Sequence, residues 1–223
     1  LAAATLIVSR WDEDRVRQAF EHDAAQLAGE AESRLRKPLH ALQALHSAYL
    51  AAGGLDERRL RDASHWWLTQ PLELQATGLS LRVPRVDAPA FEAAVRAEGL
   101  AGYRVFEREG AAAAADDADL LALRLIEPMA GNSGALGVNV LSIPSARSAA
   151  LLARDSGAPA VSSGFRLTQS NADETGFVLY QGVYDGQPDS VAERQRRWRG
   201  VVFVTVRAER LLAGLSAGPR GYL

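Results

Sequence analysis

The chain has 223 residues, 48% of them hydrophobic, and a formal charge of −2 from 25 basic and 27 acidic side chains. This is enough apolar material for one large domain or two small ones. The near balance of charge gives no overall field that would attract nucleic acid or an anionic membrane. Because the chain contains no cysteine, disulfides, thiolate metal sites and cysteine nucleophiles are excluded.

The N-terminal part is predicted to be helical. The apolar segment Leu1–Val8 is shorter than the roughly 20 residues that a membrane-spanning helix needs, so it is either the outer end of a truncated transmembrane helix or the apolar start of a soluble one. From Asp12 to about Ala52, apolar residues recur at spacings of three and four, which predicts one long amphipathic helix. We expect Pro38 to bend or interrupt this helix and Gly53-Gly54 to end it.

A second helix should begin after Asp56, which is a good N-cap, and run to Leu68. Its adjacent Trp66 and Trp67 point to different sides of the helix, so at most one of them can face a sheet.

The rest of the chain alternates between short strands and helices. Strands are expected at 79–83, 103–107, 121–127, 160–167, 176–184 and 199–206. Helices are expected at 87–98, at 144–157 with Leu151 and Leu152 on its apolar face, and at 208–215. Residues 111–119 are expected to form a hairpin tip and 185–198 a long charged loop. Strands joined by short turns usually pair antiparallel, so the prediction is an α+β fold with a mostly antiparallel sheet of about five strands and helices to one side.

Sequence motifs of common enzymes are absent from the chain. It has no phosphate-binding glycine loop, no zinc-binding His-Glu-x-x-His and no nucleophile elbow. The four histidines, His22, His40, His46 and His65, are interpreted as surface or packing residues. The basic segment Glu193–Arg199 could grip phosphate or stack on a base, but its position between two strands favours a solvated connection. We therefore expect no catalytic residue, metal, cofactor or nucleic-acid partner.

The most specific signal is an ordered succession of short motifs. Ile126-Glu-Pro-Met-Ala-Gly-Asn-Ser-Gly-Ala-Leu-Gly-Val-Asn139 is followed by the predicted 144–157 helix, by Phe165-Arg-Leu167 and by Gly176–Tyr184. This succession resembles the core of the CHASE domain, the extracytoplasmic ligand sensor of cytokinin receptors and of many bacterial histidine kinases and diguanylate cyclases. The resemblance covers roughly residues 78–212.

The resemblance implies a division of the chain into four segments. Residues 1–11 would be the end of a truncated transmembrane helix or a helix start, 12–77 a helical stalk with the second helix, 78–212 a PAS-like ligand-sensing domain, and 213–223 the start of a truncated connection. The chain as a whole would then be the periplasmic portion of an inner-membrane protein, with a kinase or cyclase output domain elsewhere. The apolar stripe of the stalk predicts a homodimer through the N-terminal helix.

A small organic ligand is expected between the sheet and the adjoining helices. Such pockets are mostly apolar with a few convergent polar groups, and the candidates are Val161, Phe165, Phe203 and Thr205, with Asn139, Arg124 and Tyr184 as polar contacts. Family members usually have Gly-x-Asp where this chain has Gly137-Val-Asn139, and the amide of asparagine disfavours an adenine-type ligand. The bulky Phe203, Val204 and Thr205 imply a smaller ligand than that of the plant receptors.

Two other functions compete with sensing. The pocket could be collapsed around Phe203, which would leave a module for dimerisation or for binding another protein. A small enzyme with Glu127 as its base is the third hypothesis, although a glutamate directly before a proline is better explained by the geometry at the end of a strand.

Overall fold

A computed structural model describes residues 2–70, 74–108, 118–166, 175–208 and 211. It contains five helices, α1 (Ala2–Ala52), α2 (Glu57–Thr69), α3 (Ala88–Ala97), α4 (Pro144–Ser156) and α5 (Val191–Arg197). Its strands are β1 (Leu74–Pro84), β2 (Asp119–Glu127), β3 (Ala160–Val161), β4 (Phe165–Arg166), β5 (Thr175–Tyr184) and β6 (Trp198–Arg207).

The strands form one antiparallel sheet in the order β2-β1-β6-β5-β3, and β4 also pairs with β5. The two-residue strands β3 and β4 thus both pair with β5 and together form the edge of the sheet next to it. A long N-terminal helix followed by this sheet confirms the predicted α+β fold.

Helices cover both faces of the sheet, so the expectation of helices to one side was wrong. Helices α1 and α2 pack on one face, where Leu42 and Leu45 join a buried cluster with Val202 and Val204. Helix α4 and the segment before it pack on the other face. The reason lies in the central strand β6, which is apolar at odd and even positions alike and therefore needs cover on both sides.

Helix α1 is continuous from Ala2 to Ala52, and Pro38 does not interrupt it. Packing explains this tolerance, because the turns after Pro38 bury Ala41, Leu42 and Leu45 against the sheet. The helix ends as predicted at Gly53 and Gly54, which both have positive φ. In α2, Asp56 accepts a hydrogen bond from the Arg59 amide (2.8 Å), as expected of an N-cap.

The sequence predicted which side chains of α2 and α4 face the sheet, and the structure tests both predictions. Trp67 packs into the core cluster whereas Trp66 is 57% exposed, so one tryptophan faces the sheet, as expected. In α4 the expected face was right for Leu151, which packs against the core cluster, and wrong for Leu152, which is 59% exposed; four alanines are also buried. Those alanines, which let the helix lie close to the sheet, are Ala146, Ala149, Ala150 and Ala153.

Two expected elements are corrected and others fall outside the described residues. Residues 103–107 form no regular strand, since only Phe106 makes an isolated bridge, to Val138. The expected loop at 185–198 contains α5, whose N-cap Ser190 accepts from the Glu193 amide (3.2 Å). The predicted hairpin tip at 111–119 and helix at 208–215 lie mostly outside the described ranges, as does Leu167 of the expected 160–167 strand.

Candidate ligand-binding site

A small cavity lies between the sheet and the segment that precedes α4. We call it the sheet cavity. Strands supply one side and the segment from Ala135 to Ile143 the other, with Phe165 at the edge. The lining residues are Leu123, Ala135, Val138, Val140, Ile143, Phe165, Val178, Tyr180, Phe203 and Thr205.

Three of the seven predicted ligand contacts meet in this cavity. Phe203 and Thr205 are two residues apart on β6 and therefore point to the same face of the sheet. Phe165 reaches the cavity from β4 at the sheet edge, where the guanidinium carbon of Arg108 lies 5.8 Å from the centre of its ring. A mainly apolar wall with a few polar groups is the composition expected of a small-molecule pocket.

The hydroxyl of Thr205 is the one polar group of that trio. Thr205 is completely buried, and its Oγ1 has no hydrogen-bond partner among the described residues. Leaving a buried hydroxyl unpaired costs about 1–3 kcal/mol. The cost would be recovered by any molecule in the cavity that offers Oγ1 a hydrogen bond.

The cavity is small in this structure. Its volume is about 30 Å³, which is room for one or two water molecules. Sites for drug-sized molecules enclose roughly 300–1,000 Å³. Phe203 occupies much of the space, since its ring lies over Gly78 of β1 and 6.4 Å from the ring of Tyr180 on β5. A metabolite could enter only if Phe203 or the covering segment moved.

Asn139 lies beside the sheet cavity and does not line it. Its Oδ1 accepts from the amides of Leu121 (2.9 Å) and Leu141 (3.2 Å), and its Nδ2 donates to Glu107 (2.9 Å). Glu107 in turn pairs with Arg85. These contacts join the segment before α4 to strand β2, so Asn139 holds the wall of the cavity in place.

Two further predicted contacts lie elsewhere in the fold. Val161 is 53% exposed on the short edge strand β3. Tyr184 donates its hydroxyl to the last turn of α4, at the carbonyl oxygens of Ala153 (3.1 Å) and Arg154 (2.7 Å). Gly182 makes this possible, because a β-carbon there would come within 2.7 Å of Tyr184 Cζ.

Arg124 lies on the opposite face of the sheet from the cavity. The register between β1 and β2 shifts beside it, so that Leu79 pairs with Leu125 while Ser80 pairs with Leu123. This β-bulge places Arg124 and Leu125 on the same side, away from Leu123. Arg124 there pairs with Glu98 of α3.

Alternation along β5 could have identified the residues that the sequence interpretation missed. Val178 and Tyr180 both line the cavity, and each stands directly opposite a predicted contact, Thr205 and Phe203 respectively. Tyr180 and Tyr184 are an even number of residues apart on β5, so simple alternation places them on the same face. The sequence interpretation named Tyr184 as the ligand contact and not Tyr180. Burial raises the pKa of the Tyr180 phenol far above its ordinary value, so this side chain is neutral at physiological pH.

Several charged groups form structural contacts within the domain. Glu127 accepts from Arg61 of α2 (3.2 Å), an ion pair between helix and strand. Arg194 donates to the Asp155 carbonyl (2.7 Å), Arg197 pairs with Glu193, and Arg199 pairs with Asp185. Among the described residues, no three His, Cys, Asp or Glu side chains come close enough together to hold a metal ion.

One polar contact connects the stalk helix with the sheet. His46 of α1 donates from Nε2 to the carbonyl oxygen of Gly182 on β5 (3.2 Å). Partial burial lowers the pKa of His46, and the hydrogen bond to Gly182 opposes that effect only in part.

Comparison with known proteins identifies the family of this chain. The family model of the CHASE domain matches residues 54–221, which is about three-quarters of the chain. No curated protein matches it. Within the described ranges, no helix combines the length and the apolar character needed to cross a bilayer. CHASE domains act as sensors and not as catalysts. The chain belongs to the CHASE domain family, the extracytoplasmic sensor domains of membrane-bound signalling proteins.

Proposed function

We propose that this domain senses a small molecule in the sheet cavity and passes the signal to the membrane through α1. The observation that carries the proposal is the unpartnered, fully buried hydroxyl of Thr205 in a mainly apolar cavity. The sheet supports it, since a mostly antiparallel sheet of about five strands is what the resemblance predicts for a PAS-like unit, and the order here is β2-β1-β6-β5-β3.

The two faces of β5 and β6 suggest how binding is transmitted. On β6, Phe203 and Thr205 face the cavity, while the alternate residues Val202 and Val204 pack with Leu42 and Leu45 of α1. A ligand that displaces Phe203 therefore moves a strand whose other face carries the stalk. Binding biases signalling only to the extent that the ligand prefers one arrangement of sheet and stalk to the other.

Exposed apolar residues on α1 favour a homodimer through the stalk. Phe20, Leu27 and Leu35 are 64%, 38% and 39% exposed, and their spacings of seven and eight place them along one side of the helix. Paired stalks would connect two such domains to one membrane, with the domain on the periplasmic side of the inner membrane and a kinase or cyclase as output.

The small volume of the cavity favours a second candidate function. With Phe203 seated over Gly78, about 30 Å³ remains free. A cavity that never opens would leave the domain as a dimerisation or protein-interaction module of its parent protein.

A thermal-shift screen of small metabolites separates the two candidates, because a ligand that binds the native state must raise its stability. Sensing predicts a saturable rise in Tm for at least one compound, with a smaller rise in the Thr205→Val variant. A domain that dimerises but responds to no compound supports the second candidate.

A further inference from the structure

We propose that a second ligand site lies on the stalk face of the sheet and takes an α-amino acid with an apolar side chain. The site is the open groove between the start of α2, helix α3 and strands β1 and β2, and we call it the Arg124 groove. It encloses about 470 Å³, which is within the range of small-molecule sites. The sheet separates it from the sheet cavity.

The floor of the Arg124 groove is apolar. Leu79 and Leu81 of β1 and Leu125 of β2 form it, and Phe91 and Val95 of α3 form a wall. Side chains of this kind favour the burial of an aliphatic or aromatic group. A single polar feature of the floor, Arg124, then fixes how a ligand is oriented.

Arg124 is 8% exposed and has spare hydrogen-bonding capacity. Its Nη2 pairs with Glu98, whereas its Nη1 is buried and has no acceptor among the described residues. The Glu98 side chain is 62% exposed, so little packing holds it at the guanidinium. A ligand carboxylate that displaced Glu98 could bind both nitrogens of Arg124, and such bidentate pairs are the strongest that arginine makes with carboxylates.

The charges around the groove distinguish an amino acid from a simple carboxylate. Three acidic residues line it, Asp56, Glu57 and Glu98, against the two arginines Arg58 and Arg124. Asp56 is already paired with Arg59 of α2 (3.6 Å), so the negative charge beside Arg124 is that of Glu98. A displaced Glu98 opposes a plain anion, but a zwitterion also brings an ammonium group. Once displaced, Glu98 is a partner for that ammonium, while the apolar side chain lies on the leucine floor.

Isothermal titration with L-leucine and two truncated analogues tests this proposal. We expect saturable binding of L-leucine and at least tenfold weaker binding of 4-methylpentanoate, which lacks the ammonium, and of isoamylamine, which lacks the carboxylate. Equal binding of either analogue would overturn the proposal, as would the absence of saturable binding when L-leucine and L-phenylalanine are both tried.

Two variants in the Arg124 groove and one in the sheet cavity test where L-leucine binds. Arg124→Met keeps an unbranched, flexible side chain but removes the guanidinium, and should abolish L-leucine binding, with circular dichroism confirming that the variant is folded. Glu98→Gln, an exposed change with little risk to folding, should weaken L-leucine and strengthen 4-methylpentanoate. Thr205→Val should leave L-leucine binding unchanged, and a loss there would place the ligand in the sheet cavity and overturn the second site.

Discussion

The ring of Phe203 lies directly over Gly78, its partner on the neighbouring strand. A β-carbon at residue 78 would come within 2.6 Å of Cε1 of the ring and would also collide with the Leu125 carbonyl oxygen. Gly78 is therefore the residue that allows β6 to carry a phenylalanine over β1. The same contact keeps the sheet cavity small.

Replacing Gly78 with alanine should destabilise the domain by about 1–3 kcal/mol, since the added methyl overfills a closed part of the core. Urea unfolding measures the difference. Gly134→Ala is the matched control, because a β-carbon there meets nothing within 4 Å. Equal unfolding midpoints for the two variants would contradict the proposed contact.

The same substitution at two buried threonines should have opposite effects. Thr205→Val removes an unpartnered hydroxyl and should raise the unfolding free energy by about 1 kcal/mol. Thr77→Val removes one half of a buried hydrogen bond to Ser64 (2.6 Å) and should lower it by about 1–3 kcal/mol. Chemical denaturation of both variants checks the signs, and a destabilised Thr205→Val would mean that Oγ1 has a partner after all.

Asn139→Asp introduces the residue that the resemblance leads us to expect at this position and should destabilise this chain by about 2 kcal/mol. The new carboxylate would face Glu107, which now accepts a hydrogen bond from Asn139 Nδ2. Adding Glu107→Gln removes the repulsion and should recover most of the loss in thermal denaturation. If the single variant were as stable as the wild type, Asn139 would not hold the cavity wall in the way described.

Stability should fall as the pH drops from about 7.5 to 5, in part because of His46. Burial lowers the pKa of His46 below the ordinary value of 6.5, so in this range the unfolded chain binds more protons than the native state. The stabilisation that His46 contributes is complete above its pKa in the unfolded chain. It is lost as the pH falls through the lower pKa that His46 has in the native state. His46→Gln keeps an amide donor for Gly182 and should flatten this part of the Tm–pH curve, whereas an unchanged curve would contradict the assignment.

Replacing Phe20 and Leu27 of α1 with glutamate should convert a dimer to a monomer. The fold should not change, because both side chains are exposed within one chain. Sedimentation velocity over a range of concentrations measures the association. Leu50→Glu, at an exposed position near the end of the same helix, is the control. A wild-type protein that stays monomeric at every concentration would rule out the stalk dimer.

Much of the sheet could be predicted from the sequence because β1 alternates apolar and polar residues and β2, β5 and β6 are rich in apolar residues. Short or irregular elements could not. Helix α5 has seven residues and depends on its Ser190 cap, and α4 buries four alanines while its Leu152 is exposed.

Three of the expected ligand contacts could be grouped on the sheet cavity because strand alternation fixes their side. Alternation along β2 could also have excluded Arg124, since it is adjacent to the cavity-lining Leu123 and points to the other face. What alternation could not reveal is the β-bulge that brings Leu125 to the side of Arg124. Tyr184 was misplaced for another reason, namely that its hydroxyl reaches α4 through the gap left by Gly182. Such contacts depend on which helix covers the strand.

Native mass spectrometry of the protein purified from its own host tests the sensing proposal most directly. We expect a bound small molecule at one per chain, retained by the wild type and lost or depleted in Thr205→Val. A bare polypeptide mass for the wild type, alongside a cavity that no metabolite stabilises, would contradict a sensing role for the sheet cavity.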